Sequence, residues 1–497
     1  MDMKNSFPLK NSMFSTLLIA SITLNFSACS NTKNKANSLP NVIIIFADDM
    51  GYGDPGCYGG INPTPNIDQM ASEGMRFTDF YVAQAVCGAS RTALLTGCYP
   101  NRLGIYGAPG PRTITGINAG EMTIAELLKQ KDYATAIYGK WHLGHEKPFL
   151  PVHHGFDDYY GIPYSNDMWP RHPDYALLPK AVAERKWGFP PLPLIEDDSI
   201  AVPDVTKEDQ AHFTRTFTRR AVEFIKQNQE KPFFVYLAHP MPHVPIFASE
   251  EYQGKSGKGL YADVIMEIDW SVGRINEVLD SLGLEKNTLL IFTSDNGPWL
   301  NYGNHAGSAG PLREGKGTTW DGGVREPCVM KWPGHIPANS ICSQPAMTID
   351  ILPTLAHLTG TQLPDHTIDG MNIWPLISGE KGAISPHEAY YFYWLHDLEA
   401  VRSGDWKMHF PHRYRTMNGE ERGKDGMPGN YRSDSTSYAL YNLRDDIGET
   451  NNLAEKYPEK LEELRKLGEQ MMLELGQGSE KGRGIREVGR LDASDED

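Results

Sequence analysis

Asp48 and Asp49 stand together in Ala47-Asp-Asp49, and Asp295 and Asn296 in Ser294-Asp-Asn-Gly297. Three carboxylates and an amide are all oxygen donors, the ligand set of a hard cation, Ca²⁺ before Mg²⁺ and not zinc. Cys87 opens Cys-Gly-Ala-Ser-Arg91-Thr-Ala-Leu-Leu-Thr-Gly97, in which Thr92–Thr96 reads as a helix. A group at a helix N-terminus feels the positive end of the dipole and free N–H donors, which favour anions. Arg91, Lys140, His142, His243 and Lys316 offer positive charge and proton transfer around such an anion. Taken singly, each has a plainer reading: an aspartate capping a turn, a structural cysteine, an arginine on a helix surface.

These residues share a position. Val42–Phe46 runs into Asp48, Ala134–Tyr138 into Lys140 and His142, Phe233–Leu237 into His239 and His243, and Thr288–Thr293 into Asp295. Short apolar runs alternating with helical patterns predict an α/β domain on a large, mixed, mostly parallel sheet flanked by helices. In open sheets of that kind ligands bind beyond the carboxyl ends of the strands, so groups far apart in sequence converge. Between the runs, Thr123-Ile-Ala-Glu126 is a capping box opening a helix to Lys131, and Lys207–Gln229 and Ala262–Leu282 carry helical apolar stripes suited to core packing. Gly51-Tyr-Gly-Asp-Pro-Gly56 has the bare spacing of a dinucleotide loop, but its proline and the lack of a following helix exclude that reading. From about Ile384 the pattern changes. Tyr390–Trp394 and Ala400–Phe410 predict antiparallel strands, followed by a helix over Glu459–Leu475, an α+β subdomain.

The motif around Cys87 resembles the signature of the type I, formylglycine-dependent sulfatases, with alanine at position 89 where proline is commonest. Gly139-Lys-Trp-His142, His239-Pro-Met-Pro-His243, Gly315-Lys-Gly-Thr-Thr-Trp-Asp-Gly-Gly323 and Leu440-Tyr-Asn-Leu443 with Glu449-Thr-Asn-Asn-Leu453 match as well, in the same order. Gly161-Ile-Pro-Tyr-Ser165 is similar to the arylsulfatase A and N-acetylgalactosamine-6-sulfatase branch. The resemblance runs from about Pro40 to Tyr457 and implies an alkaline-phosphatase-like fold. It also implies that Cys87 is oxidised to formylglycine by a maturation enzyme and that Ca²⁺ binds to Asp48, Asp49, Asp295, Asn296 and position 87. Arg91 would hold the hydrated aldehyde and His142 take its proton. Lys140, Lys316 and Ser165 would meet the sulfate, and His243 would protonate the departing sugar oxygen. The implied activity is removal of sulfate from a sulfated carbohydrate of galactose or N-acetylgalactosamine type. Trp169, Arg171, His172, His396 and Arg402 are candidates for sugar subsites. The rival readings are a phosphonate or phosphate ester hydrolase of the same superfamily, and a carbohydrate-binding lipoprotein without catalysis.

The N-terminus reads as an export signal: Lys4 and Lys10, an apolar run from Phe14 to Leu24 too short to span a bilayer, then Ser27-Ala-Cys29. That ending resembles a bacterial lipoprotein site, implying removal of residues 1–28, a lipid on Cys29, a tether over 29–38, and residence in the periplasm or cell envelope. The catalytic domain is expected over 39–383, the subdomain over 384–480 and a charged, solvated tail over 481–497. With 47 Lys+Arg against 63 Asp+Glu in 497 residues, the net charge of −16 argues against nucleic-acid binding. The 40% hydrophobic content supports a large core. Six cysteines include no Cys-x-x-Cys pair, and Cys328 with Cys342 is the nearest candidate disulfide outside the 87–98 region.

Overall fold

The computed structural model of the chain describes residues 39–173, 175 and 178–491, with Trp187 by its backbone alone. The proposed signal, Cys29 and the tether lie outside the described residues. In chain order the strands are β1 (Asn41–Ala47), β2 (Met75–Tyr81), β3 (Thr115–Gly116), β4 (Ala134–Lys140), β5 (Asp158–Ile162), β6 (Leu194–Glu196), β7 (Ser199–Val202), β8 (Phe233–Ala238), β9 (Thr288–Ser294), β10 (Arg325–Lys331), β11 (Ser340–Cys342) and β12 (Ala346–Met347). A second set follows: β13 (Tyr390–Trp394), β14 (Asp397–Ser403), β15 (Trp406–His409), β16 (His412–Thr416), β17 (Arg432–Thr436), β18 (Ala439–Asn442) and β19 (Gly489–Arg490).

The large sheet runs β11-β2-β10-β9-β1-β8-β4-β5-β6-β7, with β12 also on β2. Its centre, β9-β1-β8-β4-β5, is parallel throughout, and antiparallel pairs occur toward both edges. All residues of β1, β4, β8 and β9 are buried, which is why these strands read as unbroken apolar runs rather than alternating ones. Two apolar clusters form, one on each face. Ile43, Ile45, Val235 and Leu237 belong to one, and Val42, Ile44, Phe46, Phe234 and Tyr236 to the other. The helices Lys207–Gln227 and Leu260–Ser281 cover the first face with the expected stripe, including Phe213, Phe217, Val222 and Ile225. Thr123 closes the capping box on the helix Ile124–Lys129. The helix carrying the cysteine motif starts at Cys87 itself and runs to Thr96, more than a turn earlier than its sequence suggests.

From Leu39 onward the chain forms one compact unit. Tyr390, Phe392 and Val401 of the antiparallel sheet β13-β14-β15-β18 share a core with Tyr81 at the end of β2 and with Val82 and Ala83 just after it. The helix Pro458–Leu475 packs on that sheet through Leu464 and Leu475. Segment 481–491 is not a free end: Arg486 pairs with buried Glu121, and β19 pairs with β3.

The candidate disulfide is absent, because Cys328 and Cys342 are free thiols. Both register opposite Phe77, from the two sides of β2. They are therefore two strand spacings apart, about 10 Å, beyond the roughly 7 Å over which a disulfide spans Cα atoms.

Glu399 in β14 is buried, accepts a hydrogen bond from the Thr319 hydroxyl at 2.9 Å, and has its carboxyl pushed up to about 8 by burial. In the unfolded chain it ionises near 4.5, so stability falls as pH rises from there to about 8. The upper bound on that loss is about 5 kcal/mol. Glu399→Gln keeps an oxygen acceptor for Thr319 at the Oε2 position and removes the ionisable proton. We expect the variant to raise the melting temperature at pH 8.5 and to leave it unchanged at pH 4.5. An equal shift at both pH values in calorimetry would refute this.

Candidate active site

The sheet order explains the convergence. Strands β9, β1, β8 and β4 are consecutive neighbours, and the register sets Ala47 against Ser294 and Phe46 against Ala238. The residues that follow therefore leave the sheet side by side. Asp49 and His142 both take left-handed backbone conformations, φ 66° and 68°, which turn the chain sharply as it leaves β1 and β4. Such strain in non-glycine residues persists only where its surroundings enforce it, and it clusters at functional sites. Gly139 is required for close strand approach, since a Cβ there would sit 1.9 Å from the Ala238 carbonyl oxygen.

Arg91, four residues into the helix from Cys87, donates to Asp295 Oδ2 from Nε at 3.0 Å and from Nη2 at 2.8 Å. Its Nη1 donates to the Lys140 carbonyl at 3.0 Å. Lys140 pairs with Asp48 Oδ2 and donates to the Ser165 hydroxyl oxygen at 3.1 Å. Lys316 pairs with Asp49 Oδ1 and reaches Cys87 Sγ at 3.2 Å. Asn296 Nδ2 donates to Asp49 Oδ1 at 2.7 Å, and the Asp49 N–H donates to Asp295 Oδ1 at 3.1 Å. His243 Nε2 lies 3.7 Å from Asp49 Oδ2, while its Nδ1 meets the Val244 carbonyl at 2.6 Å. Every one of these side chains is buried.

Among the Asp48, Asp49, Asp295 and Asn296 side chains, three buried oxygens have no hydrogen-bond partner: Asp48 Oδ1, Asp49 Oδ2 and Asn296 Oδ1. Leaving such atoms dry costs free energy that a cation among them would recover, and all three are hard ligands. Single ligand atoms of Asp48, Asp49, Cys87 and His243 also lie within 4.8 Å of one another. The residues present therefore fit a Ca²⁺-type ion. Asp295 shares the pocket, but both its oxygens are engaged, by Arg91 and by the Asp49 N–H. His243, expected in the pocket from its place beyond β8, also joins the tight group of metal-type ligands.

The electrostatics are uneven. Burial raises Asp48, but Lys140, His243 and Arg91 outweigh it and hold the carboxyl well below the usual range. Burial and the Asp48 charge push Asp295 up to about 7. Burial, then Asp48, pushes the Cys87 thiol up to about 12 in spite of two lysines and the helix end. An unmodified Cys87 is therefore a protonated, weak nucleophile at neutral pH. Burial with Lys140 and Arg91 keeps His142 neutral, and both its ring nitrogens are unpartnered. Burial and Lys316 also lower His243.

The sugar-subsite candidates fare differently. Trp169 is fully buried, with its indole N–H donated to the Val205 carbonyl at 2.9 Å, and it packs in the core. Arg402 is buried too, paired with Asp79 at 2.6 Å and bonded to the Tyr81 hydroxyl. Neither is available to a ligand. His172 is likewise buried. Arg171 is exposed and paired with Asp204, and His396 lies on the surface against Tyr106 at 3.8 Å. His239 is structural, bonded to the Ser271 hydroxyl at 2.9 Å. Trp299, Asn166 and Arg415 escaped the sequence reading. Trp299 places its ring 4.7 Å from the Lys316 ammonium and 5.4 Å from the His243 ring. Asn166 donates to the Pro245 carbonyl at 3.2 Å, bracing the His243 loop. Both adjoin motif residues, which was a usable signal; Arg415, from β16, had none.

A family model described as sulfatase matches residues 40–361, and one described as the C-terminal region of aryl-sulfatase matches 385–483. Arylsulfatase A of Bos taurus is 40% identical over 457 residues, 87% of this chain and 87% of its own length. N-acetylgalactosamine-6-sulfatase of Sus scrofa is 37% identical over 456 residues, 86% of this chain and 84% of its own. The crystal structure of the sulfatase PsFucS1 from Pseudoalteromonas sp. superposes with a TM-score of 0.79 at 28% identity, covering 89% of this chain and 92% of that one.

Proposed function

The chain belongs to the sulfatase family, and from that premise we propose that it removes sulfate from a sulfated carbohydrate, using a formylglycine made from Cys87 and a bound Ca²⁺. One observation carries the reading. A cysteine too basic to act as a thiolate opens a buried helix, surrounded by three cations and three unpartnered metal-type oxygens. The name of one set of similar proteins, N-acetylgalactosamine-6-sulfatase, favours a glycan of the N-acetylgalactosamine or galactose type.

Asp48, Asp49, Asp295 and Asn296, with position 87, would hold Ca²⁺, which supplies charge neutralisation of the sulfate. Matured, position 87 would supply a hydrated aldehyde, a nucleophile whose covalent adduct with sulfate can be released by elimination. Arg91 fixes this group against the strand ends, anchored itself by Asp295 and the Lys140 carbonyl. Lys140, Ser165 and Lys316 hold the sulfate oxygens, and neutral His142 has a free nitrogen to accept a hydroxyl proton. His243, whose Nδ1 is committed to the Val244 carbonyl, protonates the departing sugar oxygen from Nε2.

Mass spectrometry of the Cys87 peptide from the native host tests the modification, alongside sulfate release from defined galactose, N-acetylgalactosamine and glucosamine oligosaccharides. We expect loss of sulfur at position 87 and turnover of at least one sugar. An active enzyme with unmodified cysteine, or faster turnover of phosphonate and phosphate esters, would overturn the reading. We also propose that an acylated Cys29 tethers the enzyme in the bacterial envelope. Cys29→Ala should then leave the membrane fraction on fractionation; retention there contradicts the anchor.

A further inference from the structure

Arg415 lies in the β16–β17 hairpin and packs over the Lys316–Gly317 turn. Its Nε donates to the Lys316 carbonyl at 2.9 Å and its Nη2 donates to the same oxygen. A Cβ on Gly317 would sit 2.3 Å from that Nη2, so the guanidinium lies flat on the turn. The turn is itself tied to the site, since the Gly317 N–H donates to the Ala85 carbonyl at 2.9 Å, two residues before Cys87. Arg415 is thus held one lysine side chain away from the nucleophile.

What it lacks is a counter-charge. The four fully buried arginines among the described residues, Arg91, Arg102, Arg325 and Arg402, each meet a carboxylate within ion-pair distance. Half-buried Arg415 meets none among the described residues. Asp49 acts on it from farther off but is already paired with Lys316. Tyr431 covers one guanidinium face at 4.6 Å. Asn301 pins the connecting segment, accepting from the Gly423 and Gly429 N–H groups at 2.8 and 2.7 Å and donating to the Gly429 carbonyl at 2.9 Å. The Nε/Nη2 edge is spent on the backbone. The Nη1/Nη2 edge remains, a rigid pair of parallel donors matched to an oxyanion.

We propose that Arg415 receives a second anionic group of the substrate, a carboxylate or further sulfate on the sugar next to the one desulfated. The proposal rests on the sulfated-carbohydrate reading and narrows it to polyanionic glycans. A half-buried guanidinium with no counter-charge keeps two donors on its open edge, and an oxyanion delivered there gains a charge-assisted, bidentate pairing on binding.

The test uses the matured full chain and three disaccharides with the same reactive sulfate, whose neighbouring sugar is a hexuronate, a sulfated hexose or a neutral hexose. The wild type is expected to show kcat/KM about 10- to 100-fold higher for an anionic neighbour than for the neutral one, and the two anionic arms identify the group. Arg415→Gln should reduce that ratio to about twofold, mostly through KM, and Arg415→Lys should restore part of it. Equal wild-type rates on all three overturn the proposal, a result that needs no variant to fold. So does an equal loss on all three in Arg415→Gln, which marks a residue that merely supports Lys316. Hydrolysis of none of the three removes the carbohydrate reading and this subsite with it.

Discussion

Replacing Cys87 by alanine is expected to lower kcat for sulfate release by roughly 10⁴–10⁶-fold, the scale seen when a covalent nucleophile is removed. The substitution deletes one buried atom whose polar contact is Lys316 at 3.2 Å, so the helix and the ion pairs around it have no reason to rearrange. The melting temperature should shift by no more than a few degrees, and substrate should still bind through Lys140 and Lys316. The contrast with Cys57 is informative, because that half-buried thiol sits beside Asp68, away from the pocket. Cys57→Ala should keep full turnover. Retention of more than about 1% of sulfate release by Cys87→Ala, with a free-sulfate assay as the readout, would remove Cys87 as the nucleophile.

Stripping divalent metal should produce the next largest loss, roughly 10³-fold in kcat/KM, reversed by Ca²⁺ and less fully by Mg²⁺. The reason lies in the charge balance. Asp48, Asp49 and Asp295 face Arg91, Lys140 and Lys316, so the protein groups alone come to about zero. A divalent cation turns that neutral cluster into a receptor for an anion and satisfies the three stranded oxygens at the same time. It also offsets the Asp48 charge that, after burial, helps push Asp295 up to about 7, so chelation should lower the melting temperature by several degrees as well. Full activity in excess chelator, after dialysis into metal-free buffer, would exclude the ion from the mechanism. Restoration by zinc but not calcium would contradict the oxygen-ligand assignment.

Local pattern carried a good deal of this. Unbroken apolar runs ending in Asp48, Lys140 and Asp295 signalled fully buried parallel strands with chemistry at their ends, because a strand covered on both faces cannot alternate. Thr123 and Glu126 marked a helix start through bonds that span three residues. The errors share a cause. Trp169, Arg402 and the Cys328–Cys342 pair were judged by type and proximity in sequence, and each outcome was set by elements far away. Val205 takes the Trp169 indole, Asp79 takes the Arg402 guanidinium, and β2 separates the two thiols.

The sequence by itself determined the kind of chemistry: which donors, which charges, and which strand ends hold them, since residue type and short-range periodicity are local properties. Only the tertiary structure decided which of them meet. The β9-β1-β8-β4 order and the Ala47–Ser294 register bring Asp48 beside Asp295, and the same packing closes Trp169 and Arg402 into the interior while leaving Arg415 without a counter-charge beside Lys316. A long side chain's destination depends on the surfaces that pack around it, and those come from segments hundreds of residues apart.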